Sequence, residues 1–208
     1  MKLVWCPDTA VKAYIAAVNV LSDRRLDDTS VAELVAAMAG GWGAQLVVEA
    51  WAHDAGPATS LALHAAVQHT GGRHVCVVPT QEVAAQYDAA AEVLVGDAGE
   101  AMAAMEGVDL VVVDCRRRDA GMVMRAARPG ARGMVMVCEG AAGVRKRCGA
   151  AGVLAAGTRL VRRTYLPIGS GVEVLHVGVG KGPSLGGRGR WIRHVDHDTK
   201  EEHVFRRR

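Results

Sequence analysis

Between residues 45 and 180 this chain alternates short apolar runs with Ala-rich stretches of helical length, and it closes with two successive strand-like runs. The apolar runs are QLVVE (45–49), RHVCVV (73–78), DLVVVD (109–114) and GMVMVC (133–138). Parallel neighbours cannot be joined by a tight turn, so strands separated by helices imply a parallel sheet with helical crossovers. A sheet of that kind collects its ligand sites at the carboxyl ends of its strands. Those ends are therefore where chemistry is to be sought.

At 208 residues the chain suits one α/β domain with a core that needs no staples. Aromatics make up 4% of it, so Val, Leu, Ala and Met must fill the interior. The formal charge of +3 argues against wholesale coating of nucleic acid. Five cysteines show neither a CxxC pair nor zinc spacing, and Cys76, Cys115 and Cys138 sit in or beside apolar strands, as reduced core thiols do. The amino terminus breaks at Pro7-Asp8 before any signal-peptide core forms, and no apolar run approaches the ~20 residues of a membrane helix. These features predict a cytoplasmic or nuclear protein with no membrane partner.

Two helices precede the sheet. Residues 7–21 read as amphipathic, with Val11, Tyr14, Ile15 and Val18 at helical spacing. A second helix starts at Thr29 or Ser30, with Ser30 and Glu33 as a capping box, and stops at Gly40-Gly41. Strands are expected at 44–50, 73–78, 92–95, 108–114 and 133–138, with helices at 58–69, 81–91, 99–105 and 119–128 between them and a weak helix at 141–156. Residues 158–168 and 172–179 form a hairpin around Gly169-Ser170-Gly171. The division is then 1–43 for helices covering the sheet, 44–180 for the Rossmann-like domain, and 181–208 for a Gly-rich linker and basic polar tail.

Five alternating strands and a terminal hairpin resemble the class I S-adenosylmethionine-dependent methyltransferases. Their doubly wound, mainly parallel seven-stranded sheet receives an antiparallel strand from such a hairpin. LVVEAW (46–51), a small-residue loop and TSLALHAA (59–66) are similar to the first strand, cofactor loop and helix of the small catechol-type O-methyltransferases. VLVGDAGEAMAAMEGVDLVVVD (93–114) resembles their adenine site and fourth strand. More closely, the chain from MKLVW to WIRHVDHDTKEEHVFRR resembles DUF1442, a family of plant proteins of unknown function.

The methyltransferase resemblance implies S-adenosyl-L-methionine as cofactor and assigns roles. Glu49 closes strand one, Trp51 and Gly56 stand in the cofactor loop, Asp97 with Ala98 meets the adenine edge, and Asp114 ends strand four beside the reacting groups, as the catalytic residue. Three departures accompany it. The loop EAWAHDAGPATS (49–60) keeps only Gly56 of three spaced glycines, with Trp51, His53 and Ala55 near those positions, and is about two residues longer. Val78-Pro79-Thr80 replaces the ribose-gripping acid, leaving Glu82 displaced. Cys138-Glu139 replaces the metal-binding Asp-Asn pair, so a Mg²⁺ site does not carry over. Glu139 and Asp114 still offer two hard oxygens, although buried acids more commonly pair with Arg or backbone.

Arg116, Arg117 and Arg118 follow strand four, and Arg145, Lys146 and Arg147 follow strand five. On one rim they would form an anion-binding edge for a phosphate, a carboxylate or a nucleic-acid backbone. The plainer reading is solvated loop charge, with Asp119 capping the next helix. His53-Asp54 offers a base with an orienting acid, but neighbours on one loop rarely face each other. Spacing disfavours a metal shared by His64 and His69, and the tail's His194, His197 and His203 read as exposed.

Two functions follow. One is a methyltransferase acting on a small hydroxylated or anionic acceptor that Asp114 positions. The other is a non-catalytic, methyltransferase-like binding or regulatory protein, whose Trp51 fills the pocket and whose Arg-rich rim meets a protein or nucleic acid. A phosphate-handling enzyme is disfavoured, because neither GxxxxGK(S/T) nor GxGxxG follows a strand.

Overall fold

The computed structural model describes residues 4–26, 29–52, 56–86, 92–143, 154–180, 182, 191–195 and 202–206, the last two segments as backbone. Helices α1 (Pro7–Asp23) and α2 (Ser30–Gly41) come first. Then follow β1 (Leu46–Ala50), α3 (Ala58–Gln68), β2 (Arg73–Val78), α4 (Gln81–Gln86), β3 (Glu92–Val95) and α5 (Ala98–Ala104). After β4 (Glu106–Val108) come β5 (Leu110–Asp114), α6 (Ala120–Ala126), β6 (Arg128–Pro129) and β7 (Met134–Glu139). The hairpin is β8 (Thr158–Leu166) with β9 (Val172–Val179), and β10 (Trp191–Val195) pairs separately with β11 (Glu202–Arg206).

Seven strands form the main sheet in the order β3-β2-β1-β5-β7-β9-β8. The first five are mutually parallel, and β9 runs antiparallel between β7 and β8. The hairpin thus inserts its second arm into the sheet, as the sequence predicts. The order reverses at β1, whose neighbours are β2 and β5, so the crevice belongs at the carboxyl ends of these strands.

Alternation along the strands divides the core in two. Val47, Leu110, Val112, Val135 and Val137 face α1, α2 and α3. Val48, Val111, Val113, Met134 and Met136 face α5 and α6. That period of two puts Glu49, Asp114 and Glu139 on the α3 side at the strand ends. Cys138 points the other way, buried with its Sγ 3.4 Å from the Met124 sulfur. At the opposite end Asp109 ties the sheet together: its Oδ2 accepts from the Gln45 amide at 2.8 Å, and Arg132 donates to its Oδ1 at 2.9 Å.

Helix α1 forms where expected but faces the other way. Its buried residues are Ala10, Ala13, Ala17 and Leu21, whereas Val11, Tyr14 and Ile15 are exposed. The cause is close helix packing. A Cβ on Gly40 of α2 would stand 2.4 Å from the Ala13 Cβ and 2.7 Å from the Thr9 carbonyl oxygen, so only small residues fit this seam. Trp5 lies across Gly41 and meets Trp42 edge to face at 5.2 Å, and Trp42 meets His176 at 5.0 Å.

The expected capping box does not form as such: Thr29 holds the cap position and its hydroxyl donates to Glu33 Oε1 at 2.6 Å. The strand expected at 108–114 begins at Leu110, because Gly107 (φ 77°) breaks the run and leaves β4 to pair with β6. Residues 141–143 form a 3₁₀ turn and 154–157 are not helical; the rest of the helix expected at 141–156 lies outside the described residues.

Candidate functional site

Three carboxylates crown adjacent strands. Glu49 and Asp114 are buried, and Asp114 is directly in register with Glu139. The first turn of α3 supplies hydroxyls to this cluster. Ser60 donates to Glu49 Oε2, and Thr59 donates to Glu139 Oε1 at 3.2 Å. His74 on β2 lies fully buried with its Nε2 3.1 Å from Glu49 Oε2, while its Nδ1 has no partner. A proton on Nε2 leaves no buried N–H unpaired, so the imidazole is assigned as donor to Glu49. Nearby His64 has its pKa lowered by burial and by His74.

Asp114 is enclosed by Arg116. The backbone amide of Arg116 donates to Oδ1 at 2.8 Å, and its guanidinium bonds both carboxylate oxygens, Nη2 to Oδ2 at 2.5 Å. Gly140 (φ 68°) permits this, since a Cβ there would meet Asp114 Oδ1 and Arg116 Cγ at 3.0 Å. Among the described residues Glu139 has no cation of its own. Burial and then the neighbouring Glu49 charge push its pKa up to about 7, opposed by the Thr59 hydrogen bond; Asp114 raises it further and Arg116 lowers it. Among the described residues no group of three or more His, Cys, Asp and Glu is arranged to hold a metal ion.

The arginine triplet divides by role. Arg116 neutralises Asp114, and Arg117 forks onto Asp119, with Nε to Oδ1 at 2.9 Å and Nη2 to Oδ2 at 2.6 Å. Arg117 Nη1 also donates to the Trp51 carbonyl. Arg118 is exposed, with no partner recorded among the described residues. Asp119 does stand at the cap position of α6, but its carboxylate serves Arg117 and makes no cap bond. Arg145, Lys146, Arg147, His53 and Asp54 lie outside the described residues.

A cleft of about 300 Å³ opens between α5 and α6, lined by Asp97, Gly99, Glu100, Ala103, Asp119, Met122 and Ala126. Asp97 caps α5, its Oδ1 accepting from the Glu100 amide at 2.9 Å, and its side chain is exposed. Ala98 is buried beneath it. Gly56 is exposed, and a Cβ on it would meet nothing within 4 Å, so the chain lies open there. Trp51 is half-buried with its amide bound to the Val77 carbonyl at 3.1 Å. Glu82 is exposed on α4. A larger hollow of about 540 Å³ adjoins this cleft at Ala103 and Ala126 and extends away from the carboxylates to Arg128, Pro129, Thr158 and Val179.

Sequence reasoning placed Glu49, Asp97, Ala98 and Asp114 at these strand ends but missed Thr59, Ser60 and His74. His74 carried a signal, as a polar residue inside the buried run RHVCVV.

No helix among the described residues is long and apolar enough to cross a membrane. The fold is similar to an S-adenosylhomocysteine-bound methyltransferase from Podospora anserina, at TM-score 0.58 and 13% identity, covering 85% of this chain and 90% of that one. A methyltransferase from Geobacter sulfurreducens matches at TM-score 0.52 and 16% identity, over 80% of this chain and 88% of that one. A putative O-methyltransferase from Klebsiella pneumoniae matches at 0.50 and 15%, over 82% and 97%. At such identities the shared property is the fold, a class I methyltransferase sheet. No curated protein matches in sequence. The model of DUF1442, proteins of unknown function, matches residues 1–207, and the chain belongs to that family.

Proposed function

We propose that this protein is an S-adenosyl-L-methionine-dependent methyltransferase acting on a small hydroxylated or anionic acceptor. The observation that carries the reading is the Asp97 cleft, set at the strand ends of a sheet whose similar structures include one with S-adenosylhomocysteine bound. The residues present fit the cofactor. Asp97 has one oxygen fixed by the α5 amide and the carboxylate exposed at the cleft, suited to accept from an adenine amino group. Gly56 leaves space in the loop after β1, where the amino-acid end of the cofactor would lie. When bound, the cofactor supplies an electrophilic methyl group on a sulfonium.

The chain's own groups do the remaining tasks. Glu49 is held in place by Ser60 and His74 and gives the switch point fixed negative charge. Asp114, oriented by Arg116, fixes an acceptor hydroxyl at the reacting centre. Glu139, whose pKa stands at about 7, is poised to take the acceptor's proton. The pairing of Asp114 with Arg116 supports an acceptor oriented by hydrogen bonds.

Incubation with methyl-labelled S-adenosylmethionine and a panel of small phenols and hydroxy acids tests this reading. Label should appear in an organic product, and S-adenosylhomocysteine should suppress it. Neither cofactor nor product analogue binding at millimolar concentration would contradict it.

A further inference from the structure

Asp119 occupies the first-cap position of a helix, where an aspartate normally accepts from the backbone amides of the first turn. Here it makes no such bond, and both of its oxygens serve Arg117 instead. The cap is forgone, and a charge-assisted bidentate fork replaces it. The third bond of the same guanidinium reaches across to the Trp51 carbonyl, in the chain leaving β1. Arg117 is 18% exposed and Asp119 27%, so the arrangement is shielded from water. Trp51 therefore has both backbone groups bound, its amide by Val77 and its carbonyl by Arg117. Asp119 in turn lines the cleft opposite Asp97.

From this geometry we propose that Arg117 is a positioning residue that ties the Trp51 backbone, where the chain leaves β1, to the cleft wall at Asp119. The inference rests on the cofactor-binding reading above. A Lys cannot replace Arg117, because one ammonium does not present the planar fork to Asp119 and a further donor to Trp51 at once.

On the cofactor reading, the chain leaving β1 at Trp51 meets the amino-acid end of the cofactor, whereas Asp97 meets the adenine. Calorimetry with two probes separates these halves: S-adenosylhomocysteine has the amino-acid end and 5′-methylthioadenosine lacks it. In Arg117→Ala and Arg117→Lys, affinity for S-adenosylhomocysteine should fall at least about 10-fold, while affinity for methylthioadenosine changes less than about twofold. Equal loss of both probes, or no loss of either, overturns the proposal. Hydrogen exchange at the Trp51 amide gives a second measurement that needs no ligand. It should quicken in Arg117→Ala while β5 and β7 amides keep their rates, and unchanged exchange overturns the proposal. If the wild type binds neither probe, the cofactor reading fails and the exchange result alone decides whether Arg117 holds the loop.

Discussion

Asp114 and Glu139 end neighbouring strands in direct register, yet among the described residues only Asp114 is bonded by a guanidinium. Burial and then the Glu49 charge disfavour ionisation of Glu139, and the Asp114 charge adds a smaller push in the same direction. Glu139 is the carboxyl whose pKa is raised, from 4.5 to about 7, so it exchanges its proton near neutral pH.

Raising a carboxyl pKa on folding means the folded state binds more protons than the unfolded one between the two values. Stability from this group is fully present below pH 4.5 and is lost as pH rises through about 7. Chemical denaturation of the wild type and Glu139→Gln should thus diverge across that window. The wild type loses on the order of 3 kcal/mol relative to the variant. Parallel stability curves would contradict the assignment.

Removing the partner of Asp114 should cost more than removing an ordinary surface arginine. Arg116→Ala leaves a buried carboxylate without its guanidinium, and we expect a loss of about 1–3 kcal/mol by urea denaturation. Because Arg116 lowers the Glu139 pKa, the same variant should move the Glu139 titration further up, as followed by carboxyl carbon NMR. Arg118→Ala, on an exposed side chain, should stay within about 0.5 kcal/mol of the wild type.

The seam between α1 and α2 gives a contrast in one helix. Ala13→Leu inserts bulk where Gly40 already lies in contact, and should cost about 1–3 kcal/mol. Ile15→Ala removes a side chain that is 51% exposed and should change stability by less than about 0.5 kcal/mol. Thermal denaturation of the two variants checks the orientation of the helix; the reverse ranking would mean that α1 buries its large residues.

Whereas the strand order and the insertion of the hairpin's second arm followed from the resemblance to class I methyltransferases, the alternation of strands and helices and the closing hairpin were legible in the apolar runs, helical spacers and Gly169-Ser170-Gly171. The burial of α1 was not, because hydrophobicity ranks Val, Tyr and Ile above Ala, whereas the close approach of Gly40 admits only Ala. The arginine run looked like a cationic edge, but each inner arginine has its own acid two residues away, Asp114 for Arg116 and Asp119 for Arg117. That spacing was visible in DCRRRD (114–119), and the bends that close both pairs were not. Contacts made across the fold, such as Ser60 and His74 on Glu49, leave no local sign of which acid they meet, although His74 stands out as a polar residue in an apolar run.

Calorimetric titration of S-adenosylhomocysteine into the wild type, Asp97→Ala and Asp97→Ser tests the central claim most directly. Serine keeps the cap on α5 that alanine loses, so it separates the helix from the ligand. Saturable binding to the wild type, weakened by about 1–3 kcal/mol in both variants, is the predicted result. Absence of binding to the wild type at millimolar ligand, or equal affinity in all three proteins, would contradict it.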